Sequence, residues 1–570
     1  MSPPVLQAMH YVLTALVALL LLSAPARWGR VWKAVEGAGP LDVAAVLWVG
    51  AAAFLLRWLL PPEALLNPNF HGMTFLDVPL CASVQDAVEL ADRSQYGVGN
   101  YTFYHFLWAY LPRTPGVYFM VNRVLSALTC MLLYVLVRLL GGNRIWAFAS
   151  AWLLALVPAH VIVAASENSI LLSSFLAMAG LVCWVAWLRD GSRWLLFGAA
   201  GYLLWTVHSR VLVLAFPAAF VITGAAAWPT LKPRLRGAGP WVAAVAFLLL
   251  AVPQYVHIAA GLSNESTQHA HAANLLYTLV SLIRPSVNLL INPDLTPVLV
   301  PVLSLAGMVL LARTEPRTGR MVAALAFGFG ALYLFFSSLE TVQLRYQYFT
   351  WPLWLLPAGV VPAWAASHML KRHGVADIRP GTPGRVRLVR KSLRIQAAVT
   401  GLVLVAPALS FLPYVERVRQ EDAGVKEFRF VVESLPQLPA GSVLLEPSRI
   451  EVSDRRTLFP YAIPVFLLEQ TGVRAADRGM EDLLTLPDTR VVVYVGLQAY
   501  SYFREEDVSP YAPDYLRLRR LARWKGVTLR PLLTTVVDTR GYRPAEDLFI
   551  PASQAQIGFY EVEAGPPRTE

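Results

Sequence analysis

The chain has 570 residues, of which 56% are hydrophobic and only 15% are charged, and its mean hydropathy is +0.49. Soluble proteins contain fewer apolar and more charged residues, so the composition excludes an ordinary soluble protein and indicates an integral membrane protein. Residues 1–413 carry 28 Lys and Arg against 14 Asp and Glu, whereas residues 414–570 carry 20 against 23. The net charge of +11 therefore comes from the apolar part, where we interpret it as loop charge and exclude a nucleic-acid-binding surface.

Twelve apolar stretches predict transmembrane helices, because about 20 apolar residues cross the hydrocarbon core of a bilayer. The pair at 194–208 and 211–227 is either two short helices broken around His208 and Arg210 or one long tilted helix. The first stretch has an alternative as a signal peptide ending near residues 23–26, although it lacks a basic n-region. The predicted spans are 5–24, 41–60, 116–138, 145–164, 170–188, 194–208, 211–227, 241–260, 297–312, 321–339, 349–366 and 395–413.

Basic residues are concentrated in alternate loops, which hold 21 of the 28 Lys and Arg before residue 414. By the positive-inside rule this face is cytoplasmic, in a plasma (inner) membrane, and both termini are outside. The extracytoplasmic face then carries loops 61–115 and 261–296 and the tail 414–570. In the tail, β-rich SVLLEP and TRVVVYVGL alternate with helix-like YLRLRRLARW, which predicts a small α/β domain after a membrane domain of residues 1–413.

Polar residues with reactive side chains gather on the predicted external face. Glu167 is the only carboxylate between Asp92 and Asp190, and an ionisable group near a membrane span is energetically expensive. Such groups are therefore functional candidates by default. The candidates are His71, Asp77, Glu167, Arg210, Glu340, Arg345 and Tyr346.

Three stretches resemble the membrane glycosyltransferases of the GT-C superfamily. They are RVLSALTCMLLYVLVRLLGGNRIWA, LLALVPAHVIVAASENSILLSSFLAMAGL and QLRYQYFTWPLWLLPAG. The last two are similar to the dolichyl-phosphate-mannose protein mannosyltransferase branch (glycosyltransferase family 39), and the resemblance covers roughly residues 41–366. The chain departs from that branch in having a single Asp77 where an acidic pair is common, and in the extra span at 5–24.

The resemblance implies an enzyme that moves a sugar from a polyprenyl-phosphate donor to a lipid, glycan or protein acceptor on the external face. A carboxylate suits the removal of a proton from the attacking hydroxyl, and we expect Asp77 to be this base. Arginines pair bidentately with phosphate oxygens, so Arg210 and Arg345 are expected to hold the leaving lipid phosphate. Substrate-binding roles are expected for the remaining residues, Glu167, Glu340, Tyr346 and His71. Attack opposite the departing phosphate predicts inversion at the anomeric carbon.

Structural alternatives accompany each assignment. Asp77 is also suited to cap a helix, Glu167 to accept from backbone donors beside a capping Ser166, and the arginines to reach toward lipid headgroups. Asp86 is typical of a helix start. At the level of the whole chain, the alternatives are a lipid-linked-sugar transporter or flippase, for which no internal repeat is visible, and an O-antigen polymerase or ligase.

No cofactor is required by this chemistry, but a divalent metal is left open. Six histidines lie in external segments, yet none has a ligand spacing such as HExxH. These histidines are His71, His105, His160, His208, His269 and His271.

Overall fold

The computed structural model describes the chain in segments. They are residues 3–59, 79–81, 83–88, 98–164, 166, 170–209, 216–262, 299–330, 346–373, 385–419, 423–445, 468, 471–475, 489–497, 502–503, 527–540, 548–549 and 553–564. Within them the fold is a polytopic helical bundle followed by a small mixed α/β domain, as the sequence predicts.

Most of the described residues before the α/β domain are helical. The α-helices of the described residues are α1 (Pro3–Leu22), α2 (Ala24–Ala34), α3 (Pro40–Trp58), α4 (Gly99–Trp108), α5 (Pro115–Leu139), α6 (Arg144–Leu156), α7 (Pro158–Ala164), α8 (Ile170–Asp190), α9 (Arg193–Val207), α10 (Pro217–Ala226), α11 (Trp228–Arg234), α12 (Ala238–Leu262), α13 (Leu299–Thr314), α14 (Pro316–Ala323), α15 (Thr350–Trp354), α16 (Val360–Arg372), α17 (Arg385–Arg419) and α18 (Ala423–Ser434). A π-helical turn, Ala324–Phe329, follows α14, and a 3₁₀ turn, Tyr346–Phe349, precedes α15.

Each of the twelve predicted spans contains a helix, but the helices differ in length. Among the described residues, six are long and apolar enough to cross a membrane, and a seventh span is obtained if α6 and α7 are one span bent by 61°. The bend falls at Val157, whose backbone is extended because the residue before a proline is disfavoured in the α conformation. The uncertain pair at 194–227 is two helices, α9 and α10, and α9 ends at a turn formed by His208 and Ser209.

The centre of the bundle is formed by α5 and α8, which are buried along most of their length. In contrast, α12 and α17 expose most of their apolar residues, as expected for helices that contact lipid. The apolar core extends from α1 to α17 and includes no described sheet residue, so the bundle is a packing unit in its own right.

Loops that the sequence places on one side do meet in space. Arg138 at the end of α5 donates to the Glu36 carbonyl (2.9 Å), and Arg189 at the end of α8 donates to the Ala34 carbonyl (3.3 Å). Arg234 in turn donates to the Arg189 carbonyl (2.8 Å). We call this end of the bundle, defined by these arginine-bearing loops, the basic face.

The C-terminal domain contains short strands. Those of the described residues are β1 (Ser442–Leu445), β2 (Arg474–Ala475), β3 (Arg490–Val495), β4 (Tyr502–Phe503), β5 (Val527–Asp538), β6 (Leu548–Phe549) and β7 (Gln554–Ala564). Five of them form a sheet of order β2-β1-β3-β7-β5. Strands β1 and β2 and strands β1 and β3 are parallel, whereas β7 is antiparallel to both β3 and β5. The two predicted strands are β1 and β3, while the helix-like stretch at 515–524 lies outside the described residues.

Aromatic side chains join this domain to the end of the bundle opposite the basic face. Phe428 on α18 packs edge-on against Phe119 in the first turns of α5, with 6.3 Å between ring centroids. The same apolar cluster includes Tyr104 and Tyr118 from the bundle and Phe559 from β7. We call this end of the bundle the domain face. Helix α17 runs continuously through the predicted domain boundary at residue 413.

Candidate active site

The predicted site residues fall almost entirely outside the described part of the chain. This holds for His71, Asp77, Glu167, Arg210, Glu340 and Arg345, and only the backbone of Tyr346 is described, at the start of the 3₁₀ turn. Their roles therefore stay predictions. The described residues immediately beside them, however, show where these segments enter and leave the bundle.

The segment that follows Asp77 is attached to α4. Trp108 at the end of α4 donates its indole N–H to the Pro79 carbonyl (2.6 Å), and Leu80 is buried in the aromatic cluster of the domain face. Trp108 also stacks on Tyr104, one turn earlier in the same helix, with 5.6 Å between ring centroids. The chain beside Asp77 is thus fixed to one face of a short buried helix.

The segment that contains Glu167 is attached to α4 through Asn122. The Asn122 amide accepts a hydrogen bond from the Tyr104 hydroxyl (2.7 Å) and donates one to the Ser166 carbonyl (2.9 Å). Ser166 is buried, and its hydroxyl donates to the Val163 carbonyl (2.7 Å). Ser166 therefore binds a carbonyl at the end of α7, and its predicted capping role stays a prediction.

The segment that leads into Arg210 is attached to the start of α4. The Gly99 N–H donates to the His208 carbonyl (2.8 Å), and the Trp205 indole N–H donates to the Gly99 carbonyl (2.9 Å). This approach requires glycine, because a Cβ at position 99 would lie 2.8 Å from the His208 carbonyl oxygen. The turn before Arg210 and the first turn of α4 are consequently in backbone contact.

The segment that follows Arg345 is attached to α5 and α7. Tyr348 donates its hydroxyl to Ser126 Oγ (2.8 Å) and stacks on His160, with ring centroids 4.2 Å apart and planes inclined by 12°. Both Tyr348 and His160 are completely buried. The 3₁₀ turn that starts at Tyr346 is thereby held against the middle of the bundle.

Arg57, in the last turn of α3, is a buried cation that ties these helices together. Its Nε donates to Ser126 Oγ (2.7 Å), and Nη1 donates to the Ala53 carbonyl (2.8 Å) and the Ala155 carbonyl (3.3 Å). Its Nη2 contacts His160 Nδ1 (2.7 Å) and Cys130 Sγ (3.8 Å). Arginine only donates, so His160 Nδ1 accepts and the ring proton of this histidine lies on Nε2. Five N–H groups thus reach α3, α5, α6 and α7.

Four chain segments therefore contact α4, α5 or α7. The described parts of these segments end or begin at Pro79, Ser166, Ser209 and Tyr346. Pro79 is two residues from Asp77, and the other three directly adjoin Glu167, Arg210 and Arg345 in the sequence. The convergence of the four predicted residues themselves stays a prediction.

The histidines that the structure describes have other partners. His105 contacts the Tyr101 hydroxyl (3.0 Å), His160 contacts Arg57, and His208 contacts the Leu250 carbonyl (2.9 Å). Within the described ranges no group of three or more His, Cys, Asp or Glu residues is placed to hold a metal ion. Asp86 has the role expected of a helix start, since Ser83 Oγ donates to its carboxylate (2.5 Å) and its N–H donates to Ser83 Oγ (3.1 Å).

Several residues of this region were not singled out in the sequence: Arg57, Tyr104, Asn122 and Tyr348. Arg57 carried a usable signal, because it is a charged residue inside an apolar span, the same criterion that selects Glu167. The tyrosines and Asn122 carried none. Their importance depends on partners that lie 18 to 222 positions away in the chain.

Comparisons with known proteins give structural similarities only. No family model matches the sequence, and no curated protein matches it. Similar solved structures include ArnT from Cupriavidus metallidurans in the apo state (12% identity, TM-score 0.47, covering 93% of this chain and 98% of that chain) and bound to undecaprenyl phosphate (12%, 0.42, 82% and 96%). Another is the Archaeoglobus fulgidus oligosaccharyltransferase in complex with zinc and sulfate (11%, 0.45, 79% and 68%).

These similarities concern the fold, and the resemblance of the sequence to the dolichyl-phosphate-mannose branch stays a prediction.

Proposed function

We propose that the chain is a membrane glycosyltransferase that moves a sugar from a polyprenyl-phosphate donor to an acceptor at the domain face. The observation that supports the proposal is that segments beside four predicted residues contact α4, α5 or α7, through Pro79, Ser166, His208 and Tyr348. Each of them is next to or near a residue with a predicted role in this reaction. The active site belongs to the membrane domain, residues 1–413, and the acceptor meets it beneath the domain formed by residues 414–570.

The reaction is a single displacement. Asp77 accepts the proton of the acceptor hydroxyl as its oxygen attacks the anomeric carbon. The bond from that carbon to the phosphate oxygen breaks, and the electron pair leaves with the lipid phosphate. Arg210 and Arg345 pair with the phosphate as its negative charge grows, which is where arginine is most effective. Because attack and departure occur on opposite sides, the product has the inverted configuration.

The remaining predicted residues bind and orient the substrates. Glu167, Glu340, Tyr346 and His71 border the site, where carboxylates also stabilise the positive charge that develops on the sugar ring. The basic loops assign the opposite end of the bundle to the cytoplasm, so the domain face is extracytoplasmic. The donor therefore reaches the site from the outer leaflet.

The test is a transfer assay with protein in nanodiscs, radiolabelled polyprenyl-phosphate sugars and a membrane extract as acceptor source. Asp77→Asn removes the base and keeps the side-chain shape, so we expect transfer to fall by about 10² to 10⁴-fold. The matched control is Asp190→Asn on the basic face, where the carboxylate lies 3.9 Å from Arg30. Normal transfer by Asp77→Asn contradicts the base assignment, and no transfer by the wild type from any donor contradicts the enzyme class.

A further inference from the structure

Three buried phenylalanines form one aromatic cluster between α10, the π-helical turn and the 3₁₀ turn. Phe216, which directly precedes α10, contacts Phe329 with 5.0 Å between ring centroids and an interplanar angle of 69°. The ring of Phe216 also contacts Phe349, at 6.0 Å and 54°. The three residues are between 0% and 2% exposed and belong to the apolar core of the bundle. Phe216 is therefore the side chain that both ring contacts share.

The ring contacts hold together the two ends of the segment that contains Arg345. Phe329 is the last residue of the π-helical turn that precedes this segment, residues 331–345. Phe349 is the last residue of the 3₁₀ turn that follows Arg345. Because both rings pack against Phe216, one side chain fixes the distance between the described ends of the segment.

The same side chain stands at the end of the segment that contains Arg210. Arg210 directly follows Ser209 in the sequence, and Phe216 comes six residues after Arg210. At its start this segment is fixed to α4, since the Gly99 N–H donates to the His208 carbonyl. At its end it is fixed by the ring of Phe216. The segments of the two predicted phosphate ligands therefore share one anchor.

The π-helical turn adds a second observation that points to function. Such turns are rare in proteins and occur frequently at functional sites. This one is six residues long, from Ala324 to Phe329, and its last residue supplies one ring of the cluster. Phe327 in the same turn packs against Trp354 of α15, with 5.8 Å between ring centroids. Aromatic contacts thus hold the irregular turn on two sides, directly before the segment that contains Arg345.

We propose that Phe216 is a positioning residue for donor binding, which holds Arg210 and Arg345 where both guanidinium groups pair with the same lipid phosphate. This inference rests on the proposed function. The guanidinium group is a rigid fork, so two arginines serve one phosphate only when their backbones are held at the right separation. Anchoring them before the donor arrives also reduces the entropy that is lost on binding. The Phe216 ring acts through the arginines and not on the substrate.

The test measures binding of sugar-free polyprenyl phosphate to the protein in nanodiscs. Phe216→Leu keeps an apolar side chain in the core and removes both ring contacts. We expect it to weaken binding about tenfold, because the two arginines must then be ordered separately. Phe349→Leu removes only one of the two contacts and should weaken binding by a smaller factor. Polyprenol, the same lipid without the phosphate, should bind equally to the wild type and to both variants.

A double-mutant cycle provides a readout that a loss of packing alone does not change. In the wild-type background, the effects of Arg210→Gln and Arg345→Gln should not multiply, because each arginine binds well only beside the other. We expect the double variant to bind polyprenyl phosphate about tenfold more tightly than the product of the two single effects predicts. In the Phe216→Leu background the two effects should multiply, as they do for independent sites.

Phe220→Leu is the matched control on the same helix. Phe220 is four residues after Phe216, is 7% exposed and packs its ring against Trp184 of α8, with 5.7 Å between centroids. The substitution therefore removes a ring contact of the same kind, but one made with a different helix. It should lower the melting temperature about as much as Phe216→Leu does. Binding of polyprenyl phosphate and the coupling of the two arginines should stay as in the wild type.

The outcomes separate this inference from the proposed function. If the wild type does not bind polyprenyl phosphate, or if neither arginine variant weakens that binding, the proposed function itself has failed. If the arginine variants weaken binding but Phe216→Leu leaves both binding and coupling unchanged, the positioning role is overturned and the proposed function stands. If Phe216→Leu and Phe220→Leu weaken binding equally, the effect is a general loss of packing and the inference is again overturned.

Discussion

The two ends of helix α3 each bury an ion, and they do so in opposite ways. At the basic face, Asp42 accepts from Arg138 Nε (2.8 Å), Arg144 Nε (2.9 Å) and the Tyr134 hydroxyl (2.9 Å). At the other end, the described partners of Arg57 are neutral: two carbonyls, a serine, a thiol and a histidine. The Asp42 carboxylate is paired with two arginines, whereas the described partners of the Arg57 guanidinium are only dipoles.

This difference indicates how the two ends are used. An ion pair in low dielectric is specific in geometry, so the Asp42 cluster fixes the start of α3 against the end of α5 and the start of α6. Neutral dipoles around Arg57 hold the helices without cancelling the positive charge. Among the described residues, the Arg57 guanidinium therefore keeps its positive charge without a carboxylate partner.

We expect the largest loss of stability from Asp42→Asn at the basic face. The substitution strands the buried guanidinium of Arg138 without its counter-ion, which typically costs about 3–5 kcal/mol. Thermal unfolding in nanodiscs measures the loss. Asp190→Asn is the control, because Arg30 and Asp190 form a more exposed pair and should contribute little. Equal melting temperatures for the two variants would contradict the structural role of Asp42.

Glu427 on α18 extends the comparison to the docked domain, because it is a buried carboxyl with neutral partners. It accepts from the Leu497 N–H (2.7 Å) and the Tyr494 hydroxyl (3.1 Å). Burial raises the pKa of this carboxyl from 4.5 to about 8, and the two hydrogen bonds only partly oppose the shift. The folded state therefore holds a proton that the unfolded state releases between these pH values.

The sign of the pH effect follows from this proton. The contribution of Glu427 is fully present below pH 4.5 and is lost as the pH rises to about 8, with a slope of at most about 1.4 kcal/mol per pH unit. Glu427→Gln keeps an acceptor and removes the titration, so the variant should be more stable than the wild type at pH 8 and should lose this slope. Unfolding measured from pH 4 to 9 checks it, and identical profiles would refute the assignment.

Arg57→Met tests the end of α3 where the buried ion has neutral partners. We expect a smaller loss of stability than for Asp42→Asn. The substitution leaves neutral acceptors unpaired rather than a charge, which amounts to roughly 2–3 kcal/mol. The transfer rate should fall by more than the loss of folded protein explains. The reason is that α5, α7 and the turn beside Tyr346 lose their common partner. Arg57→Lys, with a charge but fewer donors, should be intermediate in both measurements. Full activity in Arg57→Met would exclude a role in site geometry.

The smallest effect is expected for a matched pair of tyrosines. Tyr104→Phe removes the bond to Asn122 at the domain face, and Tyr134→Phe removes the bond to Asp42 at the basic face. Each should cost about 1 kcal/mol of stability. Only Tyr104→Phe should lower the turnover number in the transfer assay, since Asn122 also holds the Ser166 carbonyl. A similar turnover number in both variants would remove the functional difference between the two ends.

Patterns that repeat locally were predictable from the sequence. Hydropathy located helices in all twelve segments, and alternating β-rich runs located β1 and β3. Basic residues identified the loops that meet at the basic face, since lipid and water sort side chains by polarity whatever the packing of the helices. Six of the described helices qualify as spans, or seven if α6 and α7 are one span, and the count of twelve stays a prediction.

The partners of polar groups were not predictable. Arg57 and His160 are separated by 103 positions, and Ser126 and Tyr348 by 222. No local pattern encodes such a pair, because the order of helices in the bundle is set by packing. The sequence predicted the candidate site as a set of residue types on one face. The structure adds which helices are contacted by the described segments beside those residues.

The sequence by itself determined that this protein is a helical membrane protein with basic loops on one side and a small C-terminal domain, because apolar and polar residues partition between lipid and water. Only the tertiary structure decided that this domain packs on the bundle through Phe119 and Phe428, and that Asp42 is neutralised while the described partners of Arg57 are dipoles. Those facts depend on which helices approach within hydrogen-bond distance, and a hydrogen bond inside a membrane is set by position rather than by composition.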